Sequence, residues 1–451
     1  MPAEVESSAP TGDAAPTGDA ARPGDATSAR DGAAPRPRGG EEAPRTGHRP
    51  PLPRPYLWWL TGILASLVGD SVLYFALGWA AGAHGGGVAG LVLSAITLPR
   101  VLFLLVGGAV GDRVSARRVL ITGDAAMLAF TLVLAAVAFR LGTPPWLLMA
   151  TGVAIGVVDA FYLPASGSMP RRLVDEEQLP RALSLRQVGG QVIAMGGGPL
   201  GGALVGLAGL AGAALLDAGT FALTLVVLLA VRPRHRGPVR APGPSAGILK
   251  EATDGVRVAF AHPVLRPALC LTGVAAGFLL PVLSLLLPLL AREREWGASG
   301  AGLVMGAQGV GMVAITLAVV KRGPLGRPGL LSAGALVLAG TGVLALALAP
   351  GAPVAVVAGL VIGAGNGLFS AHIGPLVLAS APESHLSRVQ AVLVLVQSLA
   401  LLLMNNVFGT GVDLAGAGAV LVAGAVLLIG AGLAGLASAP LRDDRTGLPS
   451  R

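Results

Sequence analysis

Along most of this sequence, long apolar runs alternate with short segments that hold nearly all the charge. Twelve runs stand out, at about 57–80, 88–110, 118–139, 146–168, 183–206, 210–231, 265–290, 299–320, 328–349, 353–378, 388–409 and 414–437. A bilayer core about 30 Å thick needs about 20 apolar residues per helix, so each run is long enough to cross once. The runs are continuous and do not alternate apolar with polar, which excludes a transmembrane barrel. The pattern predicts an all-α integral membrane protein with 12 transmembrane helices, and the closing of every backbone hydrogen bond within a helix is what lipid demands.

Composition agrees: of 451 residues, 53% are hydrophobic and 12% charged, too apolar for a soluble domain of this length. Sixty-seven glycines suit helices that approach one another closely in lipid. Residues 1–53 differ from the rest. They are rich in Ala, Pro, Gly, Asp and Arg and carry PTGDAA at Pro10–Ala15 and again at Pro16–Ala21, a composition expected to be disordered. The segment lacks the apolar stretch of a signal peptide and reads as a cytoplasmic tail, not a cleaved leader. The expected organisation is a tail (1–53), a first six-helix bundle (54–231), a basic cytoplasmic linker (232–264), a second bundle (265–439) and a second tail (440–451).

The formal net charge of +8 raises the question of nucleic acid, but the placement of the charges answers it. With the N-terminus inside, the inner loops hold Arg113, Arg117, Arg118, Arg171, Arg172, Arg181, the basic run from Arg232 to Arg266, Lys321, Arg322 and Arg327; the outer loops hold only Arg140, Arg292 and Arg294. This positive-inside bias puts both termini in the cytoplasm and needs no nucleic-acid partner. Trp58, Trp59, Trp79, Trp146 and Trp296 all fall at span ends and are expected to form an interfacial belt. Cys270 is the single cysteine, which excludes an intrachain disulfide and reads as a small packing residue.

The two halves repeat. Arg54-Pro55 and Leu57 match Arg266-Pro267 and Leu269 at a spacing of 212, as Ala89-Gly90-Leu91-Val92 matches Ala301-Gly302-Leu303-Val304. At a spacing of 207, Gly152, Ile155, Gly156, Glu176, Leu179 and Arg181 meet Gly359, Ile362, Gly363, Glu383, Leu386 and Arg388. Matches recurring in order point to a parallel duplication of six spans.

Between the second and third runs lies GGAVGDRVSARR, with Gly108, Asp112, Arg113, Arg117 and Arg118 spaced as G-x-x-x-D-R-x-x-x-R-R. Read alone, it is a basic loop on the cytoplasmic side. Joined to twelve spans, two matching halves and a basic linker, it resembles the loop between helices 2 and 3 of the major facilitator superfamily of transporters, and the resemblance covers Pro55 to about Ala439. It implies two pseudo-symmetric six-helix bundles, with Asp112 and Arg113 locking the inner ends of the halves. Gly198-Pro199-Leu200-Gly201-Gly202 is similar to the G-P-x-x-G-G signature of drug–proton antiporters with one residue missing; a Gly-rich kink that lets helices approach explains it equally well. Leu163-Pro164-Ala165, Pro170, Asp70 and Asp217 resemble most the exporters grouped with enterobactin and macrolide efflux proteins.

Charges within the bilayer are costly unless paired or wetted, so each is a functional candidate. Asp70, Arg100, Asp159 and Asp217 lie about 14–21 Å from the inner helix ends, near the midplane, at about 1.5 Å per residue. The resemblance implies a cavity lined by helices 1, 4, 7 and 10, which favours Asp70 and Asp159. The repeat places Asn366 at the position of Asp159, so the two are expected to face one cavity. Asp70 has two readings that stay open: a proton carrier, or a permanent ion pair with Arg100. Asp217 is expected to pack or hydrogen-bond, Asp124 and Arg186 to belong to an inner gate, and His372 to hydrogen-bond, with a proton relay as its alternative. A lone intramembrane histidine makes no metal site. Gln308, Gln397, Asn405 and Asn406 give the second half polarity without charge, so protonation is assigned to the first half.

No cluster of His, Asp or Glu at catalytic spacing appears, and no phosphate-binding Gly-Lys-Ser or Gly-Lys-Thr follows the glycines, so neither an enzyme nor an ATP-driven pump is expected. No cofactor is called for. The expected partners are the lipid bilayer, a small-molecule substrate and protons, in the cell membrane; a monomer is what the family implies. The function expected is efflux of an amphipathic molecule against protons by rocking of the halves. A narrow exporter of a siderophore or antibiotic, an importer or facilitator, and a non-transporting receptor are the alternatives.

Overall fold

The computed structural model describes residues 51–231, 256–257, 259–322, 326–382 and 386–442; for residues 104–114, 320, 386 and 387 it describes the backbone only. Most of both tails and of the linker therefore lies outside the described residues. No strand occurs among those described.

The spans are α1 (Arg54–Gly82), α2 (Gly86–Val114), α3 (Ala116–Leu141) and α4 (Pro145–Ser168), then a continuous helical stretch over Leu179–Ala230. At about 1.5 Å per residue that stretch would measure roughly 80 Å, far more than a bilayer, so it has to fold back. It does so at Gly209, whose φ of 59° and ψ of −158° no residue with a side chain adopts readily, giving α5 (179–208) and α6 (210–230). Their antiparallel course shows on α1, where Leu64 meets Gly189 of α5 while Gly62 meets Val227 of α6. The second half comprises α7 (Leu265–Glu293), α8 (Gly297–Arg322), α9 (Pro328–Ala347), α10 (Ala352–Ser380), α11 (Leu386–Ala415) and α12 (Ala417–Ala437). Prolines open α4, α9 and α10, at positions where a missing N–H costs nothing. In α7, Pro281 precedes one wide turn over Val282–Leu286, the usual response of a helix to a lost backbone donor.

The duplication read in the sequence is a duplication of packing. Gly152 and Gly156 of α4 lie against the carbonyls of Val92 and Ile96 of α2; 207 residues later, Gly359 and Gly363 of α10 lie against the carbonyls of Val304 and Gln308 of α8, themselves 212 residues on. In both halves the first helix packs on the fifth and the third on the fourth and sixth. Gly416, between α11 and α12, repeats the positive φ of Gly209, again 207 residues later.

Both ends of the bundle, Arg54 and Ala437, lie on one face, here the terminal side. The opposite face, with the turns after Gly82 and Glu293, is the far side. α11 runs to Ala415, six residues past the expected end, because Thr410 and Asp413 are polar and yet helical. Two expectations fail. Trp59 is only 1% exposed, packed beside Tyr56 and under the guanidinium of Arg186, so it is a core residue and not part of an interfacial belt, whereas Trp58 (63% exposed) and Trp146 (58%) remain at the surface. Cys270 is exposed, not packed, because it lies on the outward face of α7.

Candidate functional site

Positions one helical turn apart share a face, and on α1 this aligns Ser66, Asp70, Leu73 and Tyr74. On α4 it aligns Ile155, Val158, Asp159 and Tyr162. The two faces meet, with Met127 of α3 and Phe221 of α6, around a cavity of about 30 Å³ inside the first bundle. That is room for about two water molecules. The Tyr74 hydroxyl donates to Asp159 Oδ2 at 2.9 Å, and Arg100 Nη1 lies 3.9 Å from the same oxygen. Both ionic side chains stay partly exposed, Arg100 at 32% and Asp159 at 26%.

The structure thus brings Asp70, Asp159 and Arg100 together but pairs Arg100 with Asp159, not with Asp70. Asp70 has no cation partner among the described residues; its hydrogen-bonding neighbour is Ser66, one turn back on α1. Behind it, Gly69 lets α6 approach so closely that a Cβ there would collide with Thr220 Oγ1 and Asp217 Oδ1. Asp217 is fully buried; its Oδ1 accepts from Thr220 Oγ1 at 3.4 Å, and its Oδ2 has no hydrogen-bond partner. Asp124 is also fully buried, deeper than a gate residue, with both carboxylate oxygens unpartnered and the Tyr162 hydroxyl beside them outside hydrogen-bonding geometry. Asp70, Asp124, Asp159 and Asp217 are therefore gathered inside the first bundle, with Arg100 and Arg186 as the nearby intramembrane cations. Arg186 is occupied elsewhere, donating to Ser166 Oγ at 3.1 Å.

The second half repeats the geometry without the charge. Arg100 and Asp159 correspond by the repeat to Met312 and Asn366, and Asn366 Nδ2 lies 3.9 Å from Met312 Sδ. Asp70, Tyr74 and Tyr162 correspond to Val282, Leu286 and Phe369. Asn366 does not line the cavity that holds Asp159. His372 is buried, its Nδ1 2.8 Å from the Leu368 carbonyl and its Nε2 without a partner.

Contacts between the halves extend from the far side to the middle of the bundle, where Gly309 of α8 meets Met195 of α5. Asp413 at the end of α11 accepts from the backbone N–H of Gly86 (2.6 Å) and Gly87 (2.8 Å), so an anion caps the N-terminus of α2. Arg292 of α7 donates to the Trp79 carbonyl at 2.6 Å and lies 4.1 Å above its indole. Asn406 Nδ2 donates to Ser94 Oγ at 2.8 Å. The Gly-Pro stretch of α5 has two glycine faces. Gly197 and Gly201 receive Ser71 and Phe75 of α1, while Gly198 and Gly202 receive α8, and Pro199 lies against Gly306. Close approach of helices is thus what these glycines provide. Among the described residues α4 and α10 make no extended contact with one another.

Of the loop motif, the side chains of Asp112 and Arg113, and Gly108, fall in the backbone-only segment. Arg117 donates to the carbonyls of Leu228 and Val231 through Nε and to that of Leu229 through Nη2, all at 3.0 Å, closing the C-terminus of α6 in its own half. Arg118 is exposed.

The Major Facilitator Superfamily profile matches residues 59–405. The chain belongs to this superfamily. It is a multi-pass membrane protein and a transporter of that type. Among solved structures, the nucleoside transporter NupG superposes with a TM-score of 0.66 at 15% identity, covering 85% of this chain and 99% of that one. A bacterial homologue of the iron transporter ferroportin in an inward-facing state gives 0.60 at 18%, covering 85% and 98%. The human organic anion transporter MFSD10 (TETRAN) gives 0.59 at 18%, covering 85% and 99%. At these identities the likeness is one of fold. No curated protein matches the sequence.

Tyr74, Tyr162, Asp413 and Arg292 are the site and closure residues that sequence reasoning missed. For Tyr74 a signal was there, since it stands four residues after Asp70 and shares its face.

Proposed function

We propose that the chain is a proton-coupled exporter of an amphipathic small molecule in the cell membrane, a drug, antibiotic or siderophore, working by alternating access. The observation that carries the reading is the cavity shared by Asp70 and Asp159. A carboxylate in an apolar bundle is tolerated when it is protonated or paired. Asp159 has Tyr74 and Arg100 as partners; Asp70 has no cation partner among the described residues. A proton on Asp70 neutralises it, and its loss leaves an uncompensated charge that water must reach, which ties protonation to opening of the bundle. The second half, with Val282, Leu286 and Met312 at the matching positions, supplies shape for the substrate. The basic segments support a cytoplasmic terminal side. On that orientation, closure on the far side corresponds to a cytoplasm-open state.

The test is transport in liposomes with an imposed pH gradient, using a panel of lipophilic cations, macrolides and siderophores, for wild type, Asp70→Asn, Asp159→Asn and Tyr74→Phe. Gradient-driven movement should be lost in Asp70→Asn and Asp159→Asn and reduced in Tyr74→Phe. Movement indifferent to the gradient in wild type would remove proton coupling from the account.

A further inference from the structure

The halves differ at one seam. In the first half α1 and α6 close tightly near the terminal side: Gly62 admits Val227, whose side-chain carbons would lie 3.4 Å from an added Cβ, and Thr224 Oγ1 donates to the Gly62 carbonyl at 2.8 Å. The repeat converts Gly62 to Val274, Thr224 to Ala431 and Val227 to Ala434. A branched residue has replaced the glycine that allowed contact, and the hydroxyl that tied the helices is gone. The seam between α7 and α12 is looser there, with Leu271 still reaching Gly435, and those same three residues line a groove of about 570 Å³.

The groove's chemistry changes along its length. Val274 stands nine residues beyond Leu265, where α7 begins, and so lies roughly 14 Å along the helix. With Leu271, Ala431 and Ala434 it forms an apolar wall at acyl-chain depth. At the mouth stand Arg266, His262 and Ser438. The Arg266 guanidinium has no ion-pair or hydrogen-bond partner among the described residues, whereas Arg117, Arg292 and Arg294 all bind backbone carbonyls. The α12 wall belongs to a helix that packs on α9 and makes no extended contact with the first half, and Arg266 and Cys270 are exposed, so among the described residues nothing covers the groove. Basic pockets between transmembrane helices on the cytoplasmic side are the settings in which anionic headgroups bind, and an arginine can hold a phosphate through two parallel hydrogen bonds.

We propose that this groove holds one anionic phospholipid of the terminal-side leaflet, its phosphate on Arg266 and an acyl chain along Leu271, Val274, Ala431 and Ala434. Cys270, exposed, lining the groove and the sequence's single cysteine, reports on occupancy.

The experiment measures the rate at which a small maleimide alkylates Cys270 in nanodiscs of phosphatidylglycerol or phosphatidylcholine, for wild type and Arg266→Gln. In wild type, phosphatidylglycerol should slow alkylation several-fold relative to phosphatidylcholine; Arg266→Gln should react at the same rate in both. The variant experiences the same membrane surface potential, so loss of the difference belongs to the site. Ala434→Leu, which fills the groove with Arg266 intact, should also abolish the lipid difference and serves if Arg266→Gln does not fold. Equal wild-type rates in the two lipids, or a difference that persists in either variant, would overturn the proposal. So would equal protection by inorganic phosphate in phosphatidylcholine discs, which would make the ligand a free anion.

Discussion

Gly202→Ala should bias the transporter away from the state described above. In this state a Cβ at Gly202 would lie 2.5 Å from the Ala298 carbonyl oxygen and 3.1 Å from Gly302 Cα, both backbone atoms of α8 that no rotamer change can move. Carbon–oxygen contacts settle near 3.3–3.6 Å, so α5 and α8 must part by roughly 1 Å. Overpacking of this kind costs about 1–3 kcal/mol. The penalty falls on the far-closed state, and a state in which α5 and α8 separate at this level escapes it; the equilibrium should then move by roughly 5- to 150-fold. Gly206→Ala is the control, since a Cβ there meets nothing within 4 Å on the same helix. The assay is electron–electron distance measurement between spin labels at Ala83→Cys and Ala415→Cys, at the far ends of α1 and α11, in a Cys270→Ala background. Gly202→Ala should add a longer-distance population that Gly206→Ala lacks. Identical distance distributions in the two variants would refute the reasoning from the α5–α8 approach.

Two further outcomes follow from single contacts. Arg117→Gln removes a charged donor to three carbonyls at the end of α6 and should destabilise by about 1.5–3 kcal/mol, read as a fall in melting temperature, while Arg118→Gln, at an exposed position, should stay within about 0.5 kcal/mol of wild type. Asp413→Asn weakens the cap on Gly86 and Gly87 and should cost about 1 kcal/mol of far-side closure, seen as raised accessibility of a thiol placed at Ala83.

The architecture was legible because lipid imposes a length on apolar runs and because the duplication left glycines in register. Gly152 and Gly156 recur as Gly359 and Gly363, and the carbonyl contacts they make recur with them. The polar site was legible only in part. Asp70, Arg100 and Asp159 were visible as intramembrane charges, but depth along a helix does not say which way a side chain turns, so the partner of Arg100 could not be chosen. Asp217 reads from the sequence as a packing or hydrogen-bonding residue and does bond Thr220, but its place behind Asp70 depends on the missing side chain of Gly69, a contact between helices almost 150 residues apart in sequence. Trp59 and Trp58 are neighbours with opposite environments, which a rule about tryptophans at span ends cannot separate. Asp413 falls between the expected spans 388–409 and 414–437; it is a cap on the other half.

The central claim, that the uncompensated carboxylate of Asp70 carries the coupled proton, is tested most directly by following luminal pH with an entrapped dye while a transported compound moves across proteoliposomes. Wild type should show a pH change that tracks substrate movement. Asp70→Asn should abolish the pH change and still exchange labelled for unlabelled substrate. A variant that keeps moving protons with its substrate would contradict the account.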